Sequence, residues 1–169
     1  IIPDNGSATA ILEDDLGTYD NTIWRFYGYS GGGNYEEYPS VSIKPGVSYF
    51  LLTTLDGITI DTDAGKTAST SQPFEVNLNS GDWTLIGNPF DFDIPLERIT
   101  TNEGATLLGD PNAYAYSGDW RSASTLKPWE GIAYKSATAS KLYIEPRSSM
   151  LLAREGTDAL QEGEWLVDI

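Results

Sequence analysis

The sequence predicts an all-β protein built from two tandem repeats of short antiparallel strands that form a sandwich or barrel-like body. Three observations carry this expectation. Short motifs recur in the same order at offsets of 82 to 87 residues: Tyr27-Gly28-Tyr29-Ser30-Gly31 returns as Tyr114-Ala115-Tyr116-Ser117-Gly118, and Ile43-Lys44-Pro45-Gly46 as Leu126-Lys127-Pro128-Trp129. Ser80-Gly81-Asp82-Trp83-Thr84-Leu85-Ile86 returns as Glu162-Gly163-Glu164-Trp165-Leu166-Val167-Asp168. Self-similarity at a fixed period is the mark of a repeat architecture. Short runs of β-branched and aromatic residues alternate with turn clusters about every ten residues. No segment keeps a helical period for three turns.

Turn clusters at Asp4–Gly6 and Asp14–Gly17 bracket Thr9-Ala10-Ile11-Leu12, read as a short opening strand. Thr22–Tyr29 alternates, with Ile23, Arg25, Tyr27 and Tyr29 on one face and Trp24 and Phe26 on the other. A glycine tip, Gly31-Gly32-Gly33-Asn34, leads into Tyr35–Tyr38. Val41–Ile43, Val47–Thr53 and Gly57–Ile60 read as three further strands, with Val47–Leu52 buried and Pro45-Gly46 supplying a turn. Asp61–Ser71, small and polar, reads as an exposed loop or a seam between repeats.

Phe74–Leu78 alternates cleanly and is expected to form a hairpin with Trp83–Ile86 across Asn79-Ser80-Gly81-Asp82. Asp93 and Pro95 predict a single helical turn over Pro95–Ile99. Strands are expected at Ala113–Tyr116, Gly131–Lys135, Lys141–Ile144, Met150–Ala153 and Glu164–Ile169. The first repeat, with its opening strand, is assigned to residues 1–75 and the second to 76–169, as two units or one unit sharing a core. An Ile at position 1 and an apolar strand pattern at the end are read as a fragment of a longer chain.

Twenty-five acidic against ten basic residues give a formal charge of −15 over 169 residues, with the basic ones scattered singly. Such a field repels nucleic acid and anionic membranes, so neither is expected as a partner. No apolar run reaches the length of a membrane span. The chain has no Cys and no His, which removes disulfides, thiolate zinc sites and His-dependent triads.

Carboxylates remain. Glu36 and Glu37, or Asp91 and Asp93, are the pairs that a glycoside hydrolase would use as acid and nucleophile. In so acidic a chain such pairs arise by chance, and no catalytic residue is assigned. Asp56, Asp61 and Asp63 lie in a Gly-turned acidic stretch of the type that gathers oxygen ligands for calcium, although the EF-hand spacing is absent and Lys66 follows. Calcium is therefore the one cofactor the sequence suggests. Asn5-Gly6-Ser7 fits a glycosylation sequon.

The aromatics are the stronger lead, because flat rings on a rigid β-face stack on pyranose rings. Trp24, Trp83 and Trp165 lie in apolar strands and are expected in the core. Trp120 in a polar turn, Trp129 after Lys127-Pro128, and Tyr35 and Tyr38 are the candidates for exposed ligand-binding rings. Packing across the seam between repeats is the competing role for Trp129.

Gly81-Asp82-Trp83-Thr84-Leu85-Ile86-Gly87-Asn88-Pro89-Phe90, followed by Leu126-Lys127-Pro128-Trp129-Glu130-Gly131-Ile132-Ala133-Tyr134, resembles β-modules of large secreted multidomain proteins from Bacteroidetes-type bacteria. The resemblance covers much of residues 20–169. It implies an accessory region of an exported or cell-surface protein whose partners are the neighbouring domains of the same polypeptide. Three functions are weighed: a non-catalytic extracellular structural or adhesive module, a carbohydrate-binding module holding polysaccharide on its Trp and Tyr rings, and a carboxylate-based glycosidase. The first is the leading expectation.

Overall fold

Where apolar residues fall at a spacing of three or four, the chain coils, and where they alternate, it extends. The computed structural model describes residues 2–3, 8–60, 65–116 and 119–146. The expected strands at Met150–Ala153 and Glu164–Ile169, with Trp165, lie outside the described residues. Strands dominate, in several antiparallel sheets, none of which closes into a barrel.

The opening strand is corrected to a helix, α1 (Ala8–Leu16). Ala8, Ile11, Leu12 and Leu16 make one buried stripe, which a helix can present and a strand cannot. The apolar run at Thr9–Leu12 is too short to distinguish the two by itself. The stripe packs on Trp24 and Phe26 from one face of β2 (Trp24–Gly31), and the Trp24 indole N–H donates to the Gly17 carbonyl at 3.2 Å.

β2 lies between β3 (Asn34–Glu37) and β4 (Phe50–Thr53), both antiparallel to it. Gly28 falls on the core face, where a Cβ would sit 2.8 Å from a Val41 methyl. The expected strands at Val41–Ile43 and Gly57–Ile60 do not form. Val41, Ile43, Ile58 and Ile60 instead pack as irregular chain around the core under α1. Burial of Val47–Leu52 is also corrected: β4 is an edge strand and Leu52 is 54% exposed.

The second core gathers Ile86, Phe90, Ile94, Leu96, Ile99 and Leu107 with Leu126, Ile132, Leu142 and Ile144, all essentially without solvent exposure. Each such side chain contributes about 1.5–3 kcal/mol relative to exposure. Around it run β6 (Phe74–Asn77), β7 (Trp83–Gly87), β8 (Ile94–Pro95), a 3-10 turn at Leu96–Arg98 and β9 (Ile99–Thr101). β10 (Ala113–Tyr116), β11 (Trp120–Ser122), β12 (Thr125–Leu126), β13 (Gly131–Lys135) and β14 (Lys141–Ile144) complete it. A two-residue ladder joins β1 (Ile2–Pro3) to β5 (Gly65–Lys66) within the stretch expected to be loop.

The expected hairpin of Phe74–Leu78 with Trp83–Ile86 is absent. β6 pairs with β14 and β7 with β13, in two different sheets ordered β6-β14-β9 and β11-β10-β13-β7. The turn between them spends its donors elsewhere: Leu78 N–H goes to Ser140 O and Gly81 N–H to Ser136 O, both at 2.8 Å. The turn is thereby tied to the β13–β14 connection, and β6 and β7 are directed to different sheets.

The two cores meet along β7. On one side β7 pairs with β13. On the other, Val47 bridges Ile86, Gly87 N–H donates to Gly46 O at 3.1 Å, and Ser48 N–H reaches Leu85 O at 3.4 Å. Beyond Ser48 the chain leaves β7 and pairs with β2 as β4, so the two sheets part company at Phe50.

Candidate functional site

Alternation decides which residues look into the opening between the sheets. On β2 and its neighbours, Tyr27 and Tyr29 share a face with Tyr35, Glu37 and Phe50, opposite the face that buries Trp24 and Phe26. On the other sheet, Tyr114 and Tyr116 share a face with Trp120, Ala133, Leu85 and Trp83, while Ile132, Tyr134 and Ile86 point into the second core. The recurring Tyr-x-Tyr motif thus sets two tyrosines outward on each sheet, with a small residue, Gly28 or Ala115, turned the other way.

The two outward faces enclose a groove of about 540 Å³. Tyr29, Tyr35 and Phe50 line it from one sheet and Trp83, Tyr114 and Trp120 from the other, over a floor of Leu85 and Ala133. Ring centroids lie 5.1 Å apart for Tyr29 and Tyr35, 6.3 Å for Tyr35 and Phe50, 6.4 Å for Phe50 and Trp120, and 5.9 Å for Trp83 and Tyr114. These are tilted or edge-on contacts, the favoured geometries of aromatic quadrupoles.

Polar groups fix its upper rim. Gly31, Gly32 and Gly33 all have positive φ, which makes the tip of the β2–β3 hairpin a glycine structure. Asp82, at the foot of β7, accepts from the Gly32 amide and, at 3.0 Å, from the Tyr29 hydroxyl, which itself accepts from Gly33 N–H at 3.1 Å. The backbone amides of Gly32 and Trp83, together with Tyr29 and Lys135, hold the Asp82 carboxyl below its usual range. Lys135 lies 5.9 Å from the Trp83 ring centroid. Asn112 adds an amide to the wall.

Of the four rings expected to be exposed, Tyr35 and Trp120 stand in this groove, 58% and 49% exposed. Trp129 is 64% exposed; it borders a cavity of about 440 Å³ that Pro45, Val47 and Pro89 also line, and a smaller one that adjoins the groove. Tyr38 is the correction. It is 6% exposed in the core under α1, packed at 4.9 Å from Tyr19 and 5.2 Å from Trp24. Its hydroxyl donates to Glu13 Oε1 at 2.7 Å and lies 2.9 Å from Thr9 Oγ1. Along β3, Tyr35 and Glu37 share the outward face, and Tyr38, one residue past Glu37, turns inward.

Trp83 is a second correction: it is half-buried and lines the groove instead of filling the core. Tyr29, Phe50, Trp83 and Tyr114 are the site residues that sequence reasoning passed over. The repeated Tyr-x-Tyr motif was the available signal for Tyr29 and Tyr114, since a small residue between two tyrosines marks which face each takes.

The carboxylate candidates do not line the groove. Glu37 is engaged by Arg25 in a forked pair at 2.7 and 2.9 Å and accepts from the Tyr19 hydroxyl at 2.8 Å. Arg25 first, then Tyr19, lower its pKa to about 2, so at neutral pH it holds no proton to donate. Glu36 lies on the opposite face of β3 from Glu37. Asp91 and Asp93 are exposed on either side of Phe92.

Among the calcium candidates Asp56 is exposed, and Asp61 and Asp63 lie outside the described residues. Among the described residues no group of three or more acidic side chains is placed to hold a metal ion, and no helix is long and apolar enough to cross a membrane. In comparisons with protein-family models, curated proteins and solved structures, the chain finds no match.

Proposed function

We propose that this chain is a non-catalytic carbohydrate-binding module that holds neutral sugar rings against the aromatic groove. The observation that carries the reading is the convergence of six rings, three from each sheet, on one open groove. Its volume falls within the roughly 300–1,000 Å³ usual for small-molecule sites. The Tyr35 and Tyr114 hydroxyls and the Asn112 amide supply the few hydrogen-bonding groups that fix a sugar's orientation. A formal charge of −15 disfavours sulfated and uronic-acid glycans, which leaves neutral ones.

This reading narrows the leading expectation of a structural or adhesive module by giving the adhesion a surface. It places the chain outside the cell or on its surface, within a larger secreted protein, where polysaccharide is met. The same connectivity on both sides of the groove supports descent from one duplicated unit: a central strand bearing Tyr-x-Tyr, a hairpin to an edge strand, and a return through a Lys-Pro turn.

Binding of the purified chain to a panel of soluble and insoluble polysaccharides, with calcium or chelator present, tests the proposal. Saturable binding that Trp120→Ala abolishes is the expected result. Loss of that binding with chelator, restored by added calcium, would show dependence on a metal ion, for which the Asp56, Asp61 and Asp63 stretch is the candidate. A chain that binds no glycan is a structural or protein-binding module.

A further inference from the structure

The two halves build the same turn with different residues. Lys44-Pro45-Gly46 and Lys127-Pro128-Trp129 each close a four-residue turn, with Val47 N–H reaching Lys44 O at 3.4 Å and Glu130 N–H reaching Lys127 O at 3.2 Å. Proline takes the second position and a positive φ the third, 71° at Gly46 and 64° at Trp129. In the first half glycine is required twice over, because a Cβ at Gly46 would also strike the Phe74 ring. In the second half the same backbone carries the largest side chain there is. Among the described residues Trp129 is the one non-glycine with positive φ, and it is the most exposed of the large apolar side chains.

Glycine would suit the turn better, and the ring is largely in solvent. The ring does border a cavity of about 180 Å³ that shares Phe50, Leu85, Trp120 and Ala133 with the main groove and adds Tyr116. Trp120 therefore stands between two adjoining spaces, with its ring 5.2 Å from Tyr116 on one side and 6.4 Å from Phe50 on the other.

We propose that Trp129 is the stacking platform of an outer subsite, so that the ligand is a linear neutral polysaccharide bound along its internal length, running from Tyr35 past Trp120 to Trp129. The proposal rests on the carbohydrate reading above and adds to it the length of the ligand. A site for a chain end or a single sugar needs the main groove alone and gives no use to a strained ring beyond it.

The test is calorimetric titration of the chain with neutral gluco-, xylo- and manno-oligosaccharides, both α- and β-linked, of two to six units, using wild type, Trp129→Gly and Trp129→Asn. Affinity is expected to rise with length. Both variants should lose about tenfold for five- and six-unit chains while binding two-unit chains as wild type does. Glycine and asparagine both tolerate positive φ, so neither variant should melt below wild type. Variants that bind every length as wild type does would overturn the outer subsite and leave the carbohydrate reading standing. A wild-type chain that binds no oligosaccharide, or that binds a proline-rich peptide in their place, would overturn both.

Discussion

Gly87 lies so close to Val47 that a Cβ built on it would sit 2.6 Å from the Val47 carbonyl oxygen. This contact joins the two halves: Gly87 is the last residue of β7, and Val47 belongs to the segment that flanks β7 opposite β13. Gly131, paired with Gly87 across the ladder, is packed against Ser48 in the same way. Small residues here let one strand be shared by both sides of the groove.

Gly87→Ala is therefore expected to destabilise the fold by about 1–3 kcal/mol, because the obstructing atom is backbone and cannot swing aside. Gly131→Ala should cost a similar amount, since its Cβ would strike the Ser48 Cβ, which no rotamer change moves, and should be partly rescued by Ser48→Gly. Urea denaturation of the single and double variants measures both.

Tyr35 and Tyr38, three residues apart, should respond in opposite ways. Tyr38→Ala removes a buried ring and is expected to cost roughly 3–5 kcal/mol, as for other large core side chains. Tyr35→Ala should leave stability within about 0.5 kcal/mol and weaken glycan binding. Thermal melts and titration on the same two proteins read the contrast.

Glu37 titrates at about 2 in the folded protein against an ordinary value of 4.5. A depressed carboxyl favours the folded state fully above its unfolded pKa, and that contribution fades as pH falls from about 4.5 towards 2. Glu37→Gln should accordingly lower the melting temperature at pH 7 and leave it close to wild type near pH 2. The comparison is a pair of melting curves across that range.

Asp82 ties the hairpin tip to β7, so Asp82→Asn is expected to speed hydrogen exchange at the Gly32 and Gly33 amides and to weaken binding through Tyr29. Because its carboxyl is also held below the usual range, wild-type protection of these amides should persist through mild acid. It should be lost only as pH drops through the lowered value. Exchange measured by mass spectrometry at several pH values tests both statements.

Local pattern settled much of this molecule in advance. β13 and β14 fall on the residues expected for them, the helical turn follows Pro95, and the two faces of β2 divide as alternation requires. Two of the groove's six rings, Tyr35 and Trp120, were legible because polar turns and strand edges leave rings exposed. The others were hidden by a shared property of apolar strands: an outward Trp83 and an inward Ile86 look alike until a partner sheet covers one face.

By itself the sequence determined the acidic, His-free and Cys-free chemistry, the strand-rich composition, and the pairing of Tyr-x-Tyr with a Lys-Pro turn in each half. These are properties of neighbouring residues, set by a period of two along a strand and by the φ that proline and glycine permit. Tertiary structure alone decided that Thr9–Leu12 lies in a helix, that β6 and β7 go to different sheets, that Tyr38 is core, and that six rings face one groove. Each of those outcomes depends on which distant surface arrives to bury a face, and the energy of that burial exceeds the local preference it overrides.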